Sequence, residues 1–401
     1  MHVLSIIHYP IFGGPHNRNL RLASVLAEQG VRTTVLLPDE PGNAAERLRN
    51  AGIDVVQLPL RRIRATRNIG THASLVLGFP GQIRSIRKLI DRLGIDLVQL
   101  NGLANPHGAI AAAGIGVPVV WQILDTYTPL LLRRALAPLV RRYADVVMCT
   151  GVRVAQEHPG ITQQPERLVT FYPPVDTALF KPHRDIRARI RQELGLADTT
   201  LVIGTVGNIN LQKGHDSFIR AAALVKKTVP DAKFLLLGAT HENHREYIEG
   251  LWQLAAQLGL ERGQDLITFD PTGRVHELVQ AMDVFWMTPR PNSEGIPTAM
   301  EEAMAVGLPV ASFGVGSIDE LVEHGQTGYV VNGQNPADIA ECTLTRLLDP
   351  ERRAVMGNRG RRFIEDNASL AACAARHIRA YEMASGASVL APPSTAKPQS
   401  K

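Results

Sequence analysis

A chain of 401 residues exceeds what one hydrophobic core ordinarily organises, and a size of about 100–200 residues per domain points to two. Apolar residues make up 45% and charged residues 20%, a balance that excludes a disordered chain, and no apolar run reaches the roughly 20 residues of a membrane span. The net charge is +5, yet aromatic residues are only 5%, which argues against a nucleic-acid partner.

The first residues, Met1 to Ile7, carry no basic leader or small-residue cleavage site, so a cytoplasmic location is expected. Short β-branched runs then alternate with helix-length amphipathic stretches, at 3–7, 31–37, 53–58, 95–100, 117–121, 144–149 and 167–172. This rhythm predicts an α/β fold: a first Rossmann-like, doubly wound domain over 1–172. No Asp or Glu occurs from Val55 to Ile90, whereas Arg61, Arg62, Arg64, Arg67, Arg84, Arg87 and Lys88 do. Two readings of this basic stretch stay open: solvated helix faces, or contact with an anionic membrane or substrate. Pro173, Pro174 and Pro182 mark a linker over 173–185, where neither helix nor central strand is comfortable. The alternation restarts at 201–207, 233–238, 266–269, 283–287 and 308–314, which predicts a second Rossmann-like domain over 186–384, its last helix free to cross back to the first. Residues 385–401, rich in Ala, Ser, Pro and Lys, read as a disordered tail. Cys149, Cys342 and Cys373 have no metal-ligand or redox spacing and read as buried free thiols.

In open parallel sheets ligands sit beyond the carboxyl ends of the strands, where loops lead into helix N-termini. The loop after the first strand holds Gly13, Gly14 and His16, glycines that admit a phosphate or the opposite domain, or simply make a turn. The loop 207–215 contains Asn208, Lys213 and Gly214; Lys213 offers a compact charge to a diphosphate, or is solvated surface. Arg290, Glu294, Gly295, Ile296, Pro297 and Thr298 lead into a helix that Gly307 and Pro309 end, so Glu294 lies in the loop and Glu302 within the helix. The two carboxylates can grip different parts of one extended ligand, although Glu302 alone fits a solvated helix face. Ser317 and Glu320 have capping-box spacing and are expected to bond their own helix start.

In this order the motifs resemble family 4 glycosyltransferases of the GT-B fold, from residue 1 to about 385. The similar elements are the Gly13-Gly14 loop, the linker Val175-Asp176-Thr177 with Phe180, Lys213-Gly214, and the E-x7-E motif of Glu294 and Glu302. After them come Gly316, Glu320, Gly325, Thr327, Gly328 and Val330, which look like the family's helix-turn-strand. The resemblance implies two Rossmann-like domains facing a cleft, and a retaining transfer of sugar from a nucleotide-diphosphate sugar, UDP- or GDP-linked, to an acceptor hydroxyl. Glu294 would hold sugar hydroxyls, Glu302 the ribose and Lys213 the diphosphate, with the Gly295 backbone nearby. It implies no cofactor beyond the nucleotide sugar and no metal, and the sequence has no Asp-x-Asp or His/Asp cluster that demands a divalent ion. A carbohydrate or lipid-linked acceptor at the inner membrane face, as in cell-envelope polysaccharide or glycolipid synthesis, would suit the basic first domain.

Two positions depart from the family pattern. Asn208 stands where an Arg is common, with Arg290 and Arg274 as candidates to supply the missing charge. Where many relatives carry a His after the fourth or fifth strand, this chain has Asp125, which either takes that catalytic place or caps the next segment. A nucleotide-sugar epimerase or hydrolase of the same fold, and a catalytically silent partner protein, are the alternatives.

Overall fold

The computed structural model describes residues 1–62, 69–104, 106–240 and 242–388. Arg64 and Arg67 of the basic run, and 389–401 of the expected tail, lie outside the described residues.

Seven runs of the first half form one all-parallel sheet: β1 (His2–Ile7), β2 (Arg32–Pro38), β3 (Asp54–Leu58), β4 (Leu97–Asn101), β5 (Val119–Ile123), β6 (Val146–Cys149) and β7 (Leu168–Thr170). Their order is β3-β2-β1-β4-β5-β6-β7, so the direction of winding reverses between β1 and β4. The second sheet comprises β8 (Val202–Val206), β9 (Lys233–Leu237), β10 (Leu266–Phe269), β11 (Val284–Met287), β12 (Val310–Phe313) and β13 (Gly328–Val331). It is ordered β10-β9-β8-β11-β12-β13, with the reversal between β8 and β11. The central strands are dominated by apolar residues because both of their faces are covered, with Gln99, Asn101 and Gln122 as buried polar exceptions, and β4, β5, β8 and β11 are buried at every residue.

The chain crosses between the domains twice, side by side. Val175 in the linker pairs with Ser369, and its amide donates to the Ala368 carbonyl at 2.8 Å. The last helix, Leu370–Ser385, is capped by Ser369 and packs on the first domain, burying Cys373, Ile378 and Tyr381 against Val3, Leu22 and Val120. Tyr381 donates to Gln99 Oε1 at 2.7 Å. Both crossings therefore share one narrow hinge, and the carboxyl ends of the two sheets face each other across it. Cys149 and Cys373 are buried free thiols; Cys342 is half-buried and also free. Among the described residues no helix is long and apolar enough to cross a membrane.

Candidate active site

Between the domains lies a cavity of about 330 Å³, walled by the start of helix Gly14–Glu28, the loops after β5 and β6, and the loops after β8 and β11. A larger cavity of about 740 Å³ opens at the opposite, amino-terminal ends of β8, β11 and β12. Ligands of open parallel sheets bind at the carboxyl ends, so the smaller, interdomain cavity is the candidate site.

On its second-domain side, Glu294, Gly295, Ile296, Pro297 and Thr298 line the cavity together with Lys213. Gly214, at φ +63, lets the chain turn into helix His215–Thr228, and any Cβ there would collide with the Thr288 carbonyl. That turn holds Lys213 so that its Nζ meets Glu294 Oε1 at 2.7 Å. Two residues assigned by sequence to different loops thus form one ion pair on the cavity wall. Gly295 is required for domain contact: a Cβ would strike the Leu124 carbonyl and come within 2.7 Å of Thr150 Oγ1, both in the first domain.

On the first-domain side, Gly14 and Asp125 line the cavity. Asp125 Oδ1 accepts from the Tyr127 amide at 3.0 Å, so this residue caps its own segment and faces the cleft at once. More than a third of its surface is open to solvent in the cleft, but the enclosing protein raises its carboxyl pKa, chiefly by desolvation and further by Glu294.

Several expectations need correction. His16 is buried and does not line the cavity: its Nδ1 accepts from the Gly13 amide and its Nε2 donates to the Tyr9 carbonyl, so it braces the loop. A Cβ at Gly13 or Gly14 meets nothing within 4 Å, so no protein neighbour demands glycine there. Asn208 lies outside the cavity, exposed, its carbonyl accepting from His215. Neither Arg290 nor Arg274 lines the cavity. Arg290 pairs with Asp216 at 2.5 Å, and Arg274 pairs with Glu193 and Glu277, each at 2.9 Å. Glu302 is no solvated helix face; it is buried and paired at 2.5 Å with Arg21 of the first domain. Ser317 and Glu320 do not form a capping box. Ser317 Oγ has no partner, and Glu320 reaches across the cleft to accept from the Val152 and Arg153 amides, both at 2.7 Å. A carboxylate of one domain thus caps a helix start, Val152–Gln156, of the other.

Beside Glu302, Glu301 is 0% exposed with neither oxygen partnered. Burial, and then the adjacent Glu302, push its pKa well above the usual carboxylate range. A folded-state pKa above the unfolded one makes a contribution that is whole below about pH 4.5 and is lost as the pH rises. Glu301→Gln, which cannot ionise, should therefore gain stability relative to the native chain between pH 5 and 8, by up to about 1.4 kcal/mol per pH unit. Urea denaturation at a series of pH values measures this; a difference that stays constant with pH would show that Glu301 ionises without cost.

Sequence reasoning missed Arg18, Arg21 and Thr150, which also wall the cavity. A signal for the first was present: Arg18 lies four and eight residues before Leu22 and Leu26, on the buried stripe of its helix, where a core residue would be expected.

The comparisons with known proteins agree with this geometry. Residues 186–363 match the family model described as glycosyl transferases group 1, and residues 12–179 match glycosyltransferase family 4. Over 279 residues, 68% of this chain and 70% of the relative, it is 31% identical to the GDP-mannose-dependent alpha-(1-6)-phosphatidylinositol monomannoside mannosyltransferase of Mycolicibacterium smegmatis. The chain belongs to glycosyltransferase family 4. A second relative of this family 4 glycosyltransferase, D-inositol 3-phosphate glycosyltransferase of Thermomonospora curvata, is 32% identical over 47% of the chain and 45% of the relative. Anabaena HepE, solved with UDP, superposes with a TM-score of 0.79 at 22% identity, covering 94% of this chain and 99% of HepE. That likeness is one of fold, the GT-B arrangement of two Rossmann-like domains facing a cleft.

Proposed function

We propose that this glycosyltransferase moves a hexose from a nucleoside-diphosphate sugar, with retention at the anomeric carbon, to a hydroxyl of a phosphate-bearing acceptor. The observation that carries the reading is the Lys213–Glu294 pair on the wall of the interdomain cavity. In this reading Glu294 holds sugar hydroxyls, and Lys213 turns to the diphosphate as the sugar–phosphate bond breaks and negative charge grows there. Glu302, on the next helix, takes the ribose, exchanging its contact with Arg21. GDP-mannose is the first donor to test, because the first relative is named for it, and UDP-sugars are the second. Both relatives' names contain a phosphorylated inositol, which suggests the acceptor class.

A place at the inner face of a membrane, in envelope glycolipid or polysaccharide synthesis, belongs to the same reading. Helix Leu130–Tyr143 supports it: Leu131 is 80% exposed and Leu130 45%, with Arg134, Arg141 and Arg142 exposed on the same short helix. Flotation with vesicles of anionic lipid, lost in Leu131→Asp, is the expected result.

The test of the reaction is incubation with a panel of GDP- and UDP-sugars and inositol phosphates, with the product's anomeric configuration read by NMR. Activity should persist in a chelator, since no cofactor is required in this mechanism. Rapid turnover of donor without acceptor would favour the epimerase or hydrolase alternative.

Closure excludes water from the donor, and the Glu320 contact is its latch. Glu320→Ala should lower kcat/KM by about tenfold or more, since each of the two lost hydrogen bonds to the carboxylate is worth about 1.5–3 kcal/mol, and raise the share of donor hydrolysed over donor transferred. An unchanged partition between hydrolysis and transfer would show that the latch has no part in closure.

A further inference from the structure

Most of the cationic side chains at the cleft have a carboxylate. Arg21 pairs with Glu302 and Lys213 with Glu294. Arg18, one turn before Arg21 on the same helix, does not. It is 6% exposed and lines the cavity. Its Nη2 donates to the neutral amides of Asn101, at 2.6 Å, and Gln122, and its Nε has no partner. The Phe171 ring lies 5.4 Å from its guanidinium carbon, and the further groups around it, Cys373, Tyr381 and His377, are also uncharged at neutral pH.

A buried guanidinium is retained only where something offsets its desolvation, and neutral amides recover part of that cost but leave the charge without a counter-charge. Asn101 and Gln122 instead hold the fork in place from behind, as supporting hydrogen bonds fix a binding group. Burial lowers its pKa to about 10, which still leaves it charged at neutral pH. With both Nη2 hydrogens committed to these amides, the preorganised guanidinium keeps its remaining donors for a single charge-assisted hydrogen bond to an oxyanion at the cavity, which also supplies the missing counter-charge.

We propose that Arg18 is a phosphoryl-binding residue, receiving at the cavity a phosphate oxygen carried by one of the two substrates. This rests on the transfer reading above for the identity of the substrates, though not for the charge argument. On the donor side it would supply, from the opposite domain, the cation that Asn208 does not. On the acceptor side it would select a phosphorylated molecule over its neutral counterpart.

The experiment is calorimetric titration of the full chain, as native protein, Arg18→Gln and Arg18→Lys, with inorganic pyrophosphate, GDP, UDP and the corresponding nucleosides. KM values for inositol phosphate and for unphosphorylated inositol are measured in parallel. Arg18→Gln should weaken at least one phosphate-bearing ligand by about tenfold or more, Arg18→Lys should restore part of it, and nucleoside affinity should not move. Loss on GDP, UDP and pyrophosphate assigns the donor diphosphate; loss confined to the KM of inositol phosphate assigns the acceptor. A folded Arg18→Gln whose phosphate-bearing ligands all stay within twofold of native overturns the proposal, even if sugar transfer is confirmed. Conversely, Arg18-dependent pyrophosphate binding without any transfer would sink the reaction and leave the site. Should Arg18→Gln not fold, the Arg18 guanidinium N–H resonances of the native protein, assigned with Arg18→Lys, decide: a shift on adding pyrophosphate or inositol phosphate supports the site, and silence with both overturns it.

Discussion

Glu294→Ala should reduce sugar transfer about a thousandfold while the nucleoside diphosphate still binds, because in the proposed mechanism the lost carboxylate acts on the sugar and not on the nucleotide. The side chain is buried in the cavity wall, and the Lys213 ammonium at 2.7 Å fixes its orientation before any ligand arrives. Removing it frees that ammonium, so GDP or UDP affinity should hold or rise slightly, whereas Lys213→Ala should weaken it. The two residues share one contact, so their effects on kcat/KM should not add in the double variant. Steady-state kinetics and calorimetry on folded variants test both statements. A Glu294→Ala enzyme that keeps more than a tenth of native activity would remove Glu294 from the reaction.

The strand rhythm made both sheets legible, since strands covered on both faces are rich in apolar and β-branched residues, and β4, β5, β8 and β11, buried at every position, are. Lys213 and Glu294 were legible as candidates because glycine and proline place them in loops at strand ends. Their mutual contact was not, since 81 residues separate them and only the parallel pairing of β8 with β11 brings the loops together. Cross-domain partners were least legible. Glu320 has the local spacing of a cap, yet its carboxylate lies opposite Val152 once the domains close, and an amide pair there outcompetes its own helix start. The solvated-face alternative for Glu302 failed for the same reason: a helix face polar in sequence is buried when another domain brings Arg21 to it. Asp125 satisfied its capping reading through Oδ1, and it lines the cavity as well, as a carboxylate with two oxygens can do both.

The largest loss of stability is expected far from the cleft, at Asp283→Ala. Asp283 precedes β11 and its side chain is 11% exposed; Oδ1 pairs with Arg187 at 2.6 Å, and Oδ2 accepts from the Val202 amide at 2.8 Å and faces Arg191 at 3.4 Å. Arg191 is 1% exposed, and its other hydrogen bonds go to the carbonyls of Ala281, Ala197, Asp198 and Thr200. Carbonyls orient a guanidinium but do not neutralise it, so removing the carboxylate strands a buried charge and unpairs the amide that opens β8. Breaking one side of such a pair costs about 3–5 kcal/mol. The loss should fall on the second domain, visible as a lowered midpoint for its unfolding in urea. Asp283→Asn, which keeps the acceptor for Val202 but not the charge, should lie between, and Arg191→Met combined with Asp283→Ala should recover part of the loss, because the only cation then left without its carboxylate is Arg187, whose side chain is 34% exposed and can be hydrated. The loops that line the interdomain cavity sit at the other end of the same strands, so kcat at low temperature should be unchanged. A cost below about 1 kcal/mol for Asp283→Ala would mean that the carbonyl cage alone supports Arg191, and that the charge pair does not anchor β8 to β11.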